Sequence, residues 1–158
     1  MCKVIAICNQ KGGVSKTTTT ANLGVGLVRA GKKVLVIDAD PQGNLSQSLG
    51  IENPDELEVA LPNIMEQIMT GEDVDVTKGI VHHKEGIDLM PCNIDLSAVD
   101  VSLVHVLSRE FIMKTYVDSM REFYDYILID CMPSLGVITI NSLTASDSVL
   151  IPVQAAYL

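Results

Sequence analysis

One stretch constrains the chain more than any other. A short apolar run, Lys3–Cys8, leads into a glycine-bearing segment, Asn9–Thr20, which opens a helical pattern. The segment reads NQKGGVSKTTTT. A buried strand that feeds a loop and then a helix places free amides at a helix N-terminus, where the helix dipole favours negative charge. Gly12 and Gly13 let the main chain approach a ligand closely and adopt positive φ. Against the phosphate-loop pattern G-x-x-x-x-G-K-[ST], Lys16 takes the lysine that reaches the β- and γ-phosphates, and Thr17 takes the hydroxyl that ligates Mg2+. Gly12, Gly13, Val14, Ser15, Lys16, Thr17 and Thr18 are the nucleotide-binding candidates. The two glycines of the pattern fall instead on Gln10 and Ser15.

The rest of the chain supplies a matching frame. Further apolar runs lie at Lys33–Asp38, Tyr126–Asp130 and Ser148–Val153, with a weaker one at Ile87–Pro91. They are nearly continuous rather than alternating, as in strands buried on both faces. Helical patterns separate them. Thr18–Ala30 stops at Gly31. Ile64, Met65, Ile68 and Met69 form a core stripe ending at Gly71. Ser97–Phe123 holds one long or two shorter helices with a break near Ser108, and Thr139–Ala145 is a further short helix. Gly50–Asn63 is the most loop-like insertion. Strand–helix–strand repetition predicts an α/β fold, a mostly parallel sheet with helices on both faces and right-handed crossovers. The 158 residues suit one domain with a sizeable core.

Two acidic segments support the loop. Asp130 ends a buried-type strand, the Walker B arrangement of a carboxylate near magnesium. Asp38 and Asp40 end another, and ligands of open parallel sheets bind at that edge. We therefore expect the loop, Asp38, Asp40 and Asp130 to converge on one crevice, with Asp130 and Asp38 serving the metal through water.

Composition excludes several classes. A net charge of −9 argues against a nucleic-acid-binding surface. The interval between Lys33 and Lys78 has no basic residue, and most of its acids are expected to be a solvated face. No apolar run is long enough to span a bilayer, and the start MCKVIAIC is not a secretory signal, so the chain reads as cytoplasmic. Cys2, Cys8, Cys92 and Cys131 lack C-x-x-C spacing and are expected to be free buried thiols. His82–His83 has no third ligand at metal-site spacing and reads as a solvated pair.

The segments KGGVSKTTTTANLG, VLVIDADPQGNLS, YDYILIDCMPSLGVITINSL and SDSVLIPVQAAYL together resemble ParA/Soj-type partition ATPases. These belong to the deviant Walker A group that includes MinD. The resemblance runs along nearly the whole chain and implies a single P-loop ATPase domain over residues 1–158, an N-terminal portion lacking the family's C-terminal strands. It implies ATP and Mg2+ as ligands, and hydrolysis that drives DNA partition through an ATP-dependent sandwich homodimer. A ParB-like centromere-binding partner is implied, as is non-specific DNA binding by full-length members but not by this portion. Lys11 corresponds to the signature lysine that reaches the phosphates of the dimer partner, and Gly12 to the dimer face. Catalysis falls on Asp40, which positions the attacking water, with Lys11 and Lys16. The switch segments correspond to Asp40, Pro41 and Gln42, and to Asp130 with Pro133 and Ser134. Ser15 and Met132 replace a glycine and a proline of the family. The missing glycine motivates a rival reading as a catalytically silent nucleotide-binding or interaction protein. A MinD-like positioning ATPase is a second alternative, but it needs a membrane-binding amphipathic helix absent from these residues. Ser15 is expected to strain or distort the loop and weaken ATP binding without changing the fold.

Overall fold

The computed structural model describes residues 1–155. The strands are β1 (Lys3–Ile7), β2 (Val34–Ala39), β3 (Val81–His82), β4 (Asp88–Met90), β5 (Tyr126–Cys131) and β6 (Ser148–Leu150). The helices are α1 (Lys16–Arg29), α2 (Asn44–Ser48), α3 (Leu61–Thr70), α4 (Leu96–Leu103), α5 (Ile112–Met120) and α6 (Val137–Ala145). One sheet runs β3-β4-β2-β5-β1-β6, parallel throughout except for the antiparallel edge strand β3.

Side-chain alternation divides the core into two layers. On β2, Leu35, Ile37 and Ala39 face an apolar cluster shared with α3, α4, α5 and α6. Val34 and Val36 face the other layer, where α1 supplies Ala21, Leu23 and Leu27. Helices therefore cover both faces, as the near-continuous strands require. Helix α1 lies so close that a Cβ on Gly24 would meet Val36 Cγ1 at 3.1 Å. This tight packing seats α1 against β2 and β5, the strands that carry Asp38 and Asp130 near their ends.

Several boundaries differ from expectation. Helix α1 begins at Lys16 rather than Thr18, which puts Lys16 and Thr17 in its first turn. The polar sequence there carries no apolar periodicity to mark the start. The segment Ser97–Phe123 forms two helices separated at Ser108, whose φ is 55°. Helix α2 was not legible, being five residues long. Most of the Gly50–Asn63 insertion is loop, with a 3-10 turn at Pro54–Glu56, but its last residues open α3. The run Ser148–Val153 is not a strand buried on both faces. Only Ser148–Leu150 pairs, on one side, with β1. Val149, Ile151 and Val153 are exposed. The last three residues of the SDSVLIPVQAAYL segment, 156–158, lie outside the described residues.

Candidate functional site

The loop between β1 and α1 takes two left-handed turns. Gly13 has φ 73° and Ser15 φ 65°. Glycine adopts such a value freely, whereas a side chain there costs roughly 1–2 kcal/mol. Ser15 holds it as the residue preceding α1, and its carbonyl accepts the Thr19 amide at 2.9 Å and the Thr19 hydroxyl at 2.7 Å. Val14 is buried beneath the loop and anchors it from below.

Helix α1 has no side-chain cap, so its first amides have no side-chain acceptor. Lys16, only 8% exposed, turns its ammonium back to the Lys11 carbonyl at 3.3 Å. A nearly buried cation beside uncapped amides makes the α1 face of the site electropositive. The cavity there measures ≈ 350 Å³, and Gly12, Gly13, Lys16, Thr17, Asp40 and Pro133 are among its walls. Ser15 and Thr18 line it too. A hollow of ≈ 410 Å³ between α3 and α4 is larger, but Glu66 and Glu72 line it without any Lys or Arg, so it offers nothing to an anion.

The carboxylates behind the cavity differ in their partners. Asp130 Oδ2 accepts the Thr17 hydroxyl at 2.6 Å, and Oδ1 accepts the Thr20 hydroxyl at 3.3 Å. Burial pushes the Asp130 carboxyl up to about 6, against the two hydroxyl donors. Asp38 is its register neighbour on β2 and is fully buried. Its Oδ2 accepts both the Ser46 amide at 2.8 Å and the Ser46 hydroxyl at 2.7 Å, and its Oδ1 accepts the Asp40 amide at 3.2 Å. Burial raises Asp38 to about 7, opposed by the Ser46 bonds and reinforced by the Asp130 charge. Asp38 does not line the cavity. It ties α2 and the Asp40 turn to the end of β2.

The sequence-derived candidates thus divide. Gly12, Gly13, Ser15, Lys16, Thr17, Thr18, Asp40 and Pro133 meet around one space, with Asp130 directly behind Thr17. Lys11 is exposed and contributes its carbonyl, not its side chain, to the Lys16 contact. Pro41 and Gln42 face an adjoining hollow, although the Gln42 amide donates to Asp40 Oδ1 at 3.0 Å. Ser134 caps its own turn by accepting the Gly136 amide at 3.2 Å. His82 pairs with Asp88, and no cluster of three metal-binding side chains exists among the described residues.

Three contributors escaped sequence reasoning. Asn44 lines the cavity from the first position of α2. Asn9 Nδ2 donates to the Pro152 carbonyl at 2.9 Å, and Gln154 Nε2 donates to the Gly13 carbonyl at 2.9 Å. The segment after β6 thereby braces the loop. Its only signal was position: a strand beside β1 must deliver its following residues to the same edge.

Known proteins share this fold. A family model described as an AAA domain matches residues 2–158. Over 157 residues the chain is 48% identical to the sporulation initiation inhibitor protein Soj of Bacillus subtilis, covering 99% of this chain and 60% of Soj. The chain is a ParA/Soj-type member of the AAA domain family. The chromosome partitioning protein ParA of Caulobacter vibrioides is 40% identical over 98% of this ParA/Soj-type chain and 57% of its own length. A crystal structure of cobyrinic acid a,c-diamide synthase from Mycobacterium smegmatis, with a bound ATP analogue and magnesium, superposes with a TM-score of 0.93 at 40% identity. That match covers 99% of this chain and 62% of the synthase. The chain therefore spans about 60% of the length of these relatives. No helix among the described residues is long and apolar enough to cross a membrane.

Proposed function

We propose that this domain binds ATP with magnesium and hydrolyses the terminal phosphoanhydride, as the ATPase portion of a DNA-partition protein. The observation that carries the reading is the nearly buried Lys16 ammonium at the uncapped start of α1, beside a Thr17–Asp130 pair. Negatively charged phosphates match the ammonium and the uncapped amides on the α1 face of the cavity. The residues also suit a magnesium ion. Its octahedral shell is filled largely by waters and phosphate oxygens, so one protein hydroxyl with one carboxylate behind it suffices. Thr17 Oγ1 would be the direct protein ligand, and Asp130 would hold a metal-bound water. When bound, magnesium neutralises charge on the phosphates and on the Asp130 side of the cavity.

The chain's own groups have separable tasks. Amides of Gly13 through Thr18 and the Lys16 ammonium hold the phosphate oxygens. The half-buried Asp40 carboxylate, opposite the α1 terminus, orients the attacking water and takes its proton. Asp38 keeps the Asp40 turn in place. Exposed Lys11 and Gly12 suit a second copy of the chain that closes over the nucleotide, which brings a Lys11 ammonium to developing phosphate charge. A ParB-like partner and DNA belong to the wider protein in this reading, since a net charge of −9 gives this portion little affinity for DNA.

The partition role rests on the Soj and ParA relatives, because the synthase shares the scaffold under another activity. The test is ATP binding and phosphate release by the chain, alone and with a ParB-like protein and DNA. Stimulated release that is lost in Asp40→Ala supports the proposal. Tight ATP binding without release under any condition favours the catalytically silent reading, for which the left-handed Ser15 is the motivating feature.

A further inference from the structure

The nucleotide site leaves two thiols unused. The parallel pairing of β1 with β5 ends at Ile7↔Asp130, so Cys8 and Cys131 are the next pair in register. Alternation turns Asp130 toward α1 and turns both cysteines to the opposite face. There they pack against the same apolar cluster. Neighbouring strands stand about 4.8 Å apart, inside the Cα separation of roughly 4.4–6.8 Å that a disulfide spans. Cys131 is buried, whereas Cys8 is half-buried and open to a small reagent.

We propose that Cys8 and Cys131 are a redox-modification site, oxidised by hydrogen peroxide to a reversible disulfide at the root of the phosphate loop. The Cys8 thiolate attacks one peroxide oxygen. The O–O bond breaks, and the departing hydroxide takes the proton Cys8 released, giving water and a sulfenic acid. The Cys131 sulfur then attacks the Cys8 sulfur. The S–O bond breaks, and the hydroxyl leaves as a second water with the Cys131 proton. Two thiols lose two electrons, and one peroxide becomes two waters. The neighbouring Cys131 thiol and the Lys16 charge draw the Cys8 thiol down to about 7 against its burial, which favours Cys8 as the attacking group.

The bridge acts on the cavity through geometry. Paired Cβ atoms on neighbouring strands sit close to the strand spacing, and a disulfide wants them near 3.8 Å, so the strand ends draw together by roughly 1 Å. One end continues into Asn9 and the loop. The other continues through Met132 into Pro133, a wall of the cavity. Oxidation therefore weakens nucleotide binding, a consequence that rests on the ATP reading above. The strain also keeps the bond easily reduced.

The test is a peptide map of the chain after treatment with hydrogen peroxide. The expected product has lost two hydrogens and carries a Cys8–Cys131 linked peptide, which dithiothreitol reverses. Cys8→Ser abolishes the link, and Cys2→Ser and Cys92→Ser retain it. If Cys131→Ser fails to fold, the half-buried Cys8→Ser still decides. Sulfinic acid on Cys8 with no linked peptide, or a link to another cysteine, overturns the site. Affinity for a fluorescent ATP analogue should fall roughly fivefold or more on oxidation. A linked chain that binds as tightly as the reduced one overturns the coupling. A reduced chain that binds no nucleotide counts against the ATP reading, while the linked peptide still judges the pair.

Discussion

Asp38 and Asp130 occupy the same register step on neighbouring parallel strands, yet different kinds of partner hold them. Both are buried, and both carboxyls are raised by that burial. Asp130 is held by two side-chain hydroxyls, of which Thr17 lines the cavity and can turn to a ligand. Asp38 is held by the amides of Ser46 and Asp40, which cannot leave without moving the backbone, and by the Ser46 hydroxyl, which the Cys92 amide in turn holds. Position at a strand end marks a carboxylate as a candidate, but the mobility of its partners decides whether it serves a ligand or the fold.

Substitutions should separate the two. Asp130→Asn should lower magnesium-dependent ATP affinity on the order of 100-fold, read by titration calorimetry, while thermal stability holds or rises as a buried charge is removed. Asp38→Ala should do the reverse in its first effect. Three donors lose their acceptor, which costs about 2–4 kcal/mol in denaturant unfolding. If Asp38→Ala leaves stability intact and abolishes binding, the division is wrong.

The raised carboxyls also set a pH dependence. Between the unfolded value of 3.8 and the folded values of about 6 and about 7, the folded chain holds more protons than the unfolded one. Stability is then full below about 4 and falls as pH rises through about 6 to 7. The ligand-free chain should melt higher at pH 5 than at pH 8, and magnesium with nucleotide should reduce the difference. A melting temperature that rises over this range would show that other groups dominate.

The smallest effect concerns Ser15. Its left-handed φ is already present without a ligand, so the strain falls on folding rather than on binding. Ser15→Gly should therefore stabilise the chain by about 0.5–1 kcal/mol, the relieved strain less the extra entropy of glycine in the unfolded state. ATP affinity should change less than about threefold. Ser108→Gly, at the other left-handed serine, serves as a control with similar stabilisation and no change in binding.

Much of this arrangement is legible in the sequence, for reasons that vary by residue. Strands β1, β2 and β5 announce themselves because burial on both faces leaves little room for polar residues. The loop is legible because glycines, lysine and threonines sit between such a strand and a helix. The break at Ser108 shows as interrupted periodicity. Helix α2 escapes because five residues carry no period, and with it the role of Ser46 in holding Asp38. The braces from Asn9 and Gln154 escape because they join residues more than a hundred positions apart. The Cys8–Cys131 pair needs the β1–β5 register, which composition and spacing do not contain.

The most direct measurement of the central claim is the affinity of ATP with magnesium for the chain and for Lys16→Ala. Loss of the nearly buried ammonium should weaken binding on the order of 100-fold, with the melting temperature of the ligand-free chain little changed. Equal affinity in the two chains would place the nucleotide elsewhere and contradict the account.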